Sequence, residues 1–244
     1  MINIAITATV RPKLLLQTLN SFYEKCFLDF IKWKKCDDLK IIVNIDPVGD
    51  LDNYTPRDVY YICQRFSKNI IYNIPDTPNF AKAVKWCWSQ CDCDYIFHLE
   101  DDWYLNRKLR LQKMMRYIDK DVSAVRLYKR KYPSEKPYEM FDCEYDFDGR
   151  SLFIAKDSST QFGLNPVLIS KKFIKQALPL MVDDINPEKQ FRIRNRKMKD
   201  LILKHKFGIY GRPGDKAYVK DIGTEWRQKR SIEKPKGESF LTWK

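Results

Sequence analysis

The first 102 residues alternate between apolar, β-branched runs and segments whose apolar residues recur at helical spacing, and this alternation narrows the folds open to the chain. Residues 2–9 read as a strand. Arg11-Pro12 then opens a helix, since proline suits the first helical turn, and Leu15, Leu19, Phe22 and Cys26 form its buried stripe. Residues 39–45 are a continuous apolar run of the kind a parallel sheet buries on both faces, ending at Asp46-Pro47. Residues 59–66 read as a second helix and 69–74 as a third strand. Thr77 and Pro78 are placed to cap and start the next helix. Its apolar face is Phe80, Ala83, Val84, Cys87 and Cys91. Residues 95–99 form a fourth strand. Such alternation predicts an α/β fold, a mostly parallel central sheet with helices on both faces. Ligands of these folds bind where the strands end. Here those ends carry Thr7, Thr9 and Arg11, then Asp46, Asp76, and Glu100, Asp101 and Asp102.

Three consecutive carboxylates at the end of a buried strand repel one another and call for a counter-charge. Hard oxygen ligands in that position suit Mg²⁺ or Mn²⁺, which can hold a phosphate group at the same time. The plainer reading is an acidic turn that opens a solvated loop.

Past Trp103 the pattern loosens. Residues 105–118 read as a basic amphipathic helix, 122–128 as a strand and 129–148 as a polar, aromatic loop. Residues 152–155 and 167–169 read as short strands, and Ser170 caps a helix to Leu178. Asn186-Pro187 starts a long basic helix reaching about His205, and 209–223 is loop and strand. With no repeat and no clear linker, residues 1–227 read as one domain in two halves, 1–103 and 104–227, followed by a basic tail over 228–244.

The net charge of +13 sits in two blocks. Residues 103–136 hold 11 basic side chains against 3 acidic, and residues 186–244 hold 17 against 7. Such blocks suit a polyanionic partner, such as nucleic acid, an acidic membrane surface or a phosphorylated glycan. Solubility and charge balance around a nucleotide are the simpler explanation. Seven scattered cysteines fit reduced thiols better than a disulfide framework. Cys87, Cys91 and Cys93 near His98 lack zinc-site spacing and suit a buried helix face. No apolar run approaches the roughly 20 residues needed to span a bilayer, and residues 1–6 have no basic leader, so a cytoplasmic location is expected. With only His98 and His205, and no nucleophile elbow, P-loop or G-x-G-x-x-G, serine hydrolase, ATPase and dinucleotide readings are disfavoured.

Several segments together resemble the GT-A glycosyltransferases, most closely the family 2 type, over about residues 1–227. Ile6-Thr7-Ala8-Thr9-Val10-Arg11-Pro12 is similar to the first-strand segment that cradles a nucleotide's base and ribose. Asn44-Ile45-Asp46 is similar to the second-strand acid that contacts the nucleoside. Asn79-Phe80-Ala81-Lys82-Ala83 resembles the helix start beside the diphosphate, and Leu99-Glu100-Asp101-Asp102-Trp103 resembles the DxD-type metal motif. Residues 162–169 resemble an acceptor-side strand. Val219-Lys220-Asp221-Ile222-Gly223 resembles a C-terminal motif that often supplies a metal-ligating histidine, here replaced by Asp221.

The resemblance implies a metal-dependent sugar transfer from a nucleotide-diphosphate sugar, UDP favoured, to an acceptor hydroxyl, with inversion. Asp102, Glu100 and Asp221 would hold Mn²⁺ or Mg²⁺. Thr7, Thr9, Arg11, Asp46, Asn79, Lys82 and Asp101 would contact the donor. Glu188 and Asp184 are the candidates for the base that takes the acceptor's proton, with Asp183 also open. Each has a plain alternative: Glu188 suits the first turn of any helix, Asp183 and Asp184 suit a solvated loop, Asp46 suits a turn before Pro47, and Lys82 suits a helix surface. Trp226 and Arg227 are placed to close over a diphosphate. The resemblance extends to phage enzymes that glycosylate hydroxymethylated pyrimidines in DNA, an acceptor the basic blocks at 105–118 and 192–206 would suit, the base flipping into the site. Cell-surface polysaccharide or lipid-linked glycan is the competing acceptor. A non-catalytic basic nucleic-acid-binding protein and a metal-dependent nucleotidyltransferase remain the alternatives of other classes.

Overall fold

A computed structural model describes residues 1–35, 38–119, 122–156, 162–191 and 195–230. The chain begins with β1 (Ile2–Val10), α1 (Pro12–Phe22), a π-helical turn over Tyr23–Phe27 and α2 (Leu28–Lys34). Next come β2 (Lys40–Gly49), α3 (Pro56–Gln64), β3 (Ile70–Asn73), α4 (Phe80–Ser89) and β4 (Tyr95–Glu100). Among the described residues β1 is buried almost throughout, because helices cover both of its faces. Ile4, Ile6 and Ala8 pack in one cluster with Leu15, Leu19 and Phe22 of α1. Ala5 packs in a second cluster with Val84, Cys87 and Trp88 of α4.

The second half contributes β5 (Trp103–Leu105), α5 (Leu111–Ile118), β6 (Val122–Arg126), β7 (Tyr138–Met140), β8 (Cys143–Phe147) and β9 (Leu152–Ala155). It continues with β10 (Val167–Ser170), α6 (Lys171–Ala177), α7 (Pro187–Lys189), α8 (Arg196–Ile202), β11 (Lys206–Tyr210), β12 (Val219–Asp221) and α9 (Gly223–Gln228). Among the described residues the main sheet has ten strands in the order β3-β2-β1-β4-β10-β6-β11-β9-β8-β7, and β12 pairs separately with β5. The stretch β3-β2-β1-β4 is parallel. β10 runs antiparallel between β4 and β6, so the C-terminal ends of β1, β2, β4 and β6 share one edge. The fold class read from the sequence is the one observed, a large sheet flanked by helices.

The differences lie at element boundaries and have local causes. α4 is capped by Asn79, whose side chain accepts the Lys82 N–H at 3.0 Å, rather than by Thr77 with Pro78. The expected helix over 105–118 starts at Leu111. Leu105 is strand instead, because it and Trp103 are buried and pair with β12, and residues 106–110 form an irregular link to the helix. The expected loop over 129–148 contains the β7–β8 hairpin. Its turn residues Phe141 and Asp142 take φ of 54° and 62° without the Asn-Gly signature that marks such turns. The expected helix from 187 to 205 is broken: α7 is three residues long, and a second cap at Asn195 starts α8. Of the expected basic tail, residues 231–244 lie outside the described residues, as do residues 192–194 of the second basic stretch.

Candidate functional site

From β1 the chain steps outward through β2 to β3, then returns past β1 to form β4. The connections diverge there, α1 packing on one face and α4 on the other. This is the topological switch point at which open α/β sheets bind ligands. The acids read from the sequence end β4 at this crevice.

Consecutive strand residues point to opposite faces, so Glu100 and Asp101 part company. Asp101 turns toward α1. One of its oxygens accepts the Thr9 N–H at 2.9 Å, the Thr9 hydroxyl at 3.0 Å and Arg11 Nε at 3.2 Å. The other accepts the Arg11 Nη2. Its carbonyl accepts the Thr18 hydroxyl at 2.8 Å. The Arg11 and Asp101 side chains are each only 3% exposed. Burial works against the Arg11 charge, but Asp101 and Asp102 outweigh it and hold the guanidinium protonated. Much of the counter-charge to the triplet is therefore an arginine within the fold.

Asp102 is 13% exposed at its side chain and lies 3.3 Å from the Arg11 guanidinium. Its carbonyl accepts the Ile222 N–H at 2.9 Å, which fixes the start of α9 against it. A Cβ on Gly223 would fall 2.1 Å from Asp102 Oδ2, so the carboxylate fills the space a side chain would need. Asp221 pairs with Trp103 across β12–β5. Its two oxygens accept the Thr224 N–H at 3.0 Å and the Thr224 hydroxyl at 3.1 Å. Trp226 of α9 lies with its ring centroid 5.3 Å from the Arg11 guanidinium carbon and 4.4 Å from that of Arg230. Arg230 in turn pairs with Asp50 at 3.2 Å.

Among the described residues no three His, Cys, Asp or Glu side chains gather as a metal site. Glu100, Asp102 and Asp221 thus do not form the three-carboxylate set expected of them: Glu100 is still in the strand and Asp221 holds Thr224. A single carboxylate still fits Mg²⁺ or Mn²⁺, which take one or two protein oxygens when substrate phosphates and water complete the shell. Asp102, beside the crevice, is the residue placed for that, whereas Asp101 is committed to Arg11 and Thr9.

On the α4 side, Asp46 is 7% exposed. The Asn44 amide donates to it at 2.8 Å, and Asn73 donates to Asn44 at 2.7 Å. Burial pushes the Asp46 carboxyl up to about 6, against the help of Asn44 and the Asn79 N–H and with the Asp101 charge adding to the rise. Asn79 also donates to the Asp183 carbonyl at 3.1 Å, and Lys85 pairs with the Asp183 carboxylate at 2.5 Å. Lys82 and Asp184 are exposed. Glu188, half-buried, accepts the Leu164 N–H at 3.3 Å, which ties it to the segment leading into β10. The structure therefore joins Thr9, Arg11, Asp101 and Asp102 directly, and joins Asp46 to Asn79. Lys82 meets that network through its backbone N–H, which donates to Asn79 at 3.0 Å, while its side chain is exposed, as is Asp184. Cys87 and Cys91 donate their thiols to the carbonyls of Ile6 and Cys87, as core residues do.

Thr18 and Gly223 touch this network, and sequence reasoning gave neither a role. Gly223 stood within a segment that carried the resemblance and follows Asp221 closely enough to have been found.

No protein-family model and no curated protein matches the chain. Solved structures do. TarS from S. aureus, residues 1–349 in complex with UDP-GlcNAc, is 14% identical with a TM-score of 0.54, over 97% of this chain and 60% of that one. A second TarS structure is 15% identical with a TM-score of 0.56, over 90% of this chain and 36% of that one. The mannosyltransferase PcManGT from Pyrobaculum calidifontis, in complex with GDP-Man and Mn²⁺, is 14% identical with a TM-score of 0.50, over 72% of this chain and 46% of that one. The chain spans less than two thirds of the length of these proteins. The likeness establishes the GT-A fold.

Proposed function

We propose that the chain is a glycosyltransferase that moves a sugar from a nucleotide-diphosphate donor, a UDP-sugar first, to an acceptor hydroxyl. The observation that carries this reading is the convergence of Arg11, Asp46, Asn79 and Asp102 on the switch-point crevice of a GT-A sheet. The fold neighbours bound to UDP-GlcNAc and to GDP-Man with Mn²⁺ support it.

In this reading Asp46, supported by Asn44 and the Asn79 N–H, meets the nucleoside. Arg11, held by Asp101, keeps a fixed positive charge beside the leaving diphosphate. Asp102 would hold the divalent ion, which when bound neutralises charge developing on the departing phosphate oxygen. The acceptor oxygen forms a bond to the anomeric carbon as the carbon–phosphate-oxygen bond breaks, and the electron pair leaves with the diphosphate. Glu188 takes the acceptor's proton, and a single displacement of this kind inverts the anomeric centre. Asp184, exposed and without a tie to the crevice network, is the weaker base candidate. The acceptor we favour is a hydroxymethylated pyrimidine in DNA, because the sequence carries two basic blocks, one of them directly after the acid triplet; a glycan is the competing outcome.

The test is thermal unfolding with UDP, GDP and their sugar conjugates, with and without Mn²⁺, for wild type and Asp102→Asn. A ligand at a hundredfold excess over its dissociation constant stabilises the fold by about 2.7 kcal/mol. The expected result is a Mn²⁺-dependent shift from one nucleoside diphosphate that the variant loses. No shift from any nucleotide overturns the reading in favour of a non-catalytic polyanion-binding protein.

A further inference from the structure

The two faces of α4 are unlike. Ala83, Val84, Cys87 and Trp88 face the core and are buried. Lys82, Lys85, Trp86 and Ser89 recur at helical spacing on the opposite face. A tryptophan there adds little to a core that Trp88 already fills. Trp86 is half-buried, packing against the α4 cluster as Leu178 does. The four residues, with Leu178 and Asp183, line an open groove of about 370 Å³, within the range of small-ligand sites. Its second wall is the turn over Leu178–Leu180 and the segment that follows.

The groove starts beside the crevice. Asn79 caps α4, supports Asp46 through its N–H, and donates from its side chain to the Asp183 carbonyl at 3.1 Å. From that cap, Trp86 lies about 10 Å along the helix at 1.5 Å per residue. Lys82, which the resemblance assigned to the donor, lines this groove.

The polar groups around Trp86 carry both signs. Lys85 pairs with Asp183 at 2.5 Å, with side chains 32% and 45% exposed. A pair this exposed is worth about 0–1 kcal/mol, so both groups are free to turn toward a ligand. A phosphate polymer would meet the Asp183 carboxylate as a like charge. A hydroxyl both donates and accepts, so ammonium and carboxylate each satisfy it. The indole supplies a flat apolar surface, which suits the C–H face of a sugar ring.

We propose that this groove is a saccharide-binding site, in which a sugar ring lies on Trp86 and its hydroxyls bond to Lys85, Asp183 and Ser89. It holds the part of a glycan chain that extends out of the crevice. The groove binds sugar by its own chemistry; its service to an acceptor rests on the glycosyl-transfer reading above. It gives the glycan outcome a place in the structure, whereas the DNA outcome stands on the basic blocks of the sequence.

The test follows the fluorine resonances of protein labelled with 5-fluorotryptophan, with Trp86 assigned through Trp86→Leu. The probes are cellopentaose, chitopentaose and a short oligothymidylate. The expected result is a saturable shift of the Trp86 resonance with a neutral oligosaccharide and none with oligothymidylate. Saturation transfer from protein to sugar protons should be lost in Trp86→Leu. Ser89→Arg, which crowds the exposed rim, should weaken sugar binding about tenfold. Both variants should keep the wild-type thermal shift with Mn²⁺ and a nucleoside diphosphate, since neither residue belongs to the Arg11–Asp101–Asp102 network. If Trp86→Leu melts at a lower temperature, the wild-type resonance and Ser89→Arg carry the test. No saturable shift at Trp86 with either sugar overturns the proposal. So does a shift from oligothymidylate alone, which would make this a nucleic-acid groove. Sugar binding at Trp86 in a protein that binds no nucleotide would keep the groove and remove the glycosyl-transfer reading. Nucleotide binding without sugar binding would remove the groove alone.

Discussion

Arg11 and Asp101 divide the acid triplet into residues with different tasks. Both are almost fully buried and joined by two contacts, with Thr9 adding two more. Removing one partner of such a pair strands the other charge and costs about 3–5 kcal/mol. Asp101→Ala should therefore lower stability by that amount in urea unfolding, whatever it does to ligand binding. Asp102→Asn, at the more open edge, should leave unfolding within about 1 kcal/mol of wild type and remove the Mn²⁺-dependent part of nucleotide binding. Equal destabilisation by the two variants would show that the triplet is only structural. Asp46 gives a pH test with two opposite signs. Its folded carboxyl lies near 6, above the ordinary 3.8, so the native state binds the extra proton and stability of the empty protein should fall as pH rises from about 4 to 6. A nucleoside held by the ionised carboxylate should bind more tightly over the same interval. Asp46→Asn should flatten both curves, and a binding curve that does not move between pH 5 and 7 would remove Asp46 from the nucleoside site.

At the scale of elements, the β12–α9 segment couples a distant part of the chain to the crevice. β12 is fixed by β5, Ile222 by the Asp102 carbonyl, and Gly223 leaves room for the Asp102 carboxylate. Gly223→Ala must push that carboxylate aside and should weaken Mn²⁺-dependent nucleoside diphosphate binding about tenfold or more, matching the 1–3 kcal/mol typical of overpacking. In the Asp102→Asn background the same change should cost little further binding; additive losses in that double-mutant cycle would show that Gly223 does not act through Asp102. The strand–helix alternation of residues 1–102 was legible because period-2 and period-3.6 patterns are local. So were the strand ends that bring Thr9, Arg11, Asp46 and Asp102 to one edge. β5, the β7–β8 hairpin and α9 were not legible. β5 and β12 are three-residue strands stabilised by pairing over more than a hundred positions, and the hairpin turn uses Phe141 and Asp142 where glycine or asparagine would have announced it. The role of Arg11 as counter-charge to Asp101 was hidden for the same reason: residues 90 positions apart in sequence meet only once β1 and β4 are paired.

Over the whole molecule, the same β5–β12 pairing joins one short strand from each of the two basic blocks of the sequence. β5 opens the block at 103–136 and β12 lies in the block at 186–244, and the two meet beside Trp103 and Asp221. Lys129 sits 5.8 Å from the Trp103 ring centroid, and Lys108 and Arg110 are exposed between β5 and α5. Among the described residues no helix is long and apolar enough to cross a membrane. Exposed cations such as Lys108 and Arg110 suit an acceptor that brings its own phosphates. Binding to such a polymer releases counterions, and the logarithm of the affinity falls linearly with the logarithm of salt concentration, by about 0.9 per phosphate neutralised on duplex DNA. Fluorescence anisotropy with a hydroxymethylcytosine duplex should show that slope, and Lys108→Ala with Arg110→Ala should reduce its magnitude by about 2. Thermal shifts with Mn²⁺ and a nucleoside diphosphate should stay as in wild type, because neither side chain belongs to the Arg11–Asp101–Asp102 network. DNA affinity that is absent at low salt, with nucleotide binding intact, would move the acceptor from nucleic acid to a glycan while leaving the donor site as proposed.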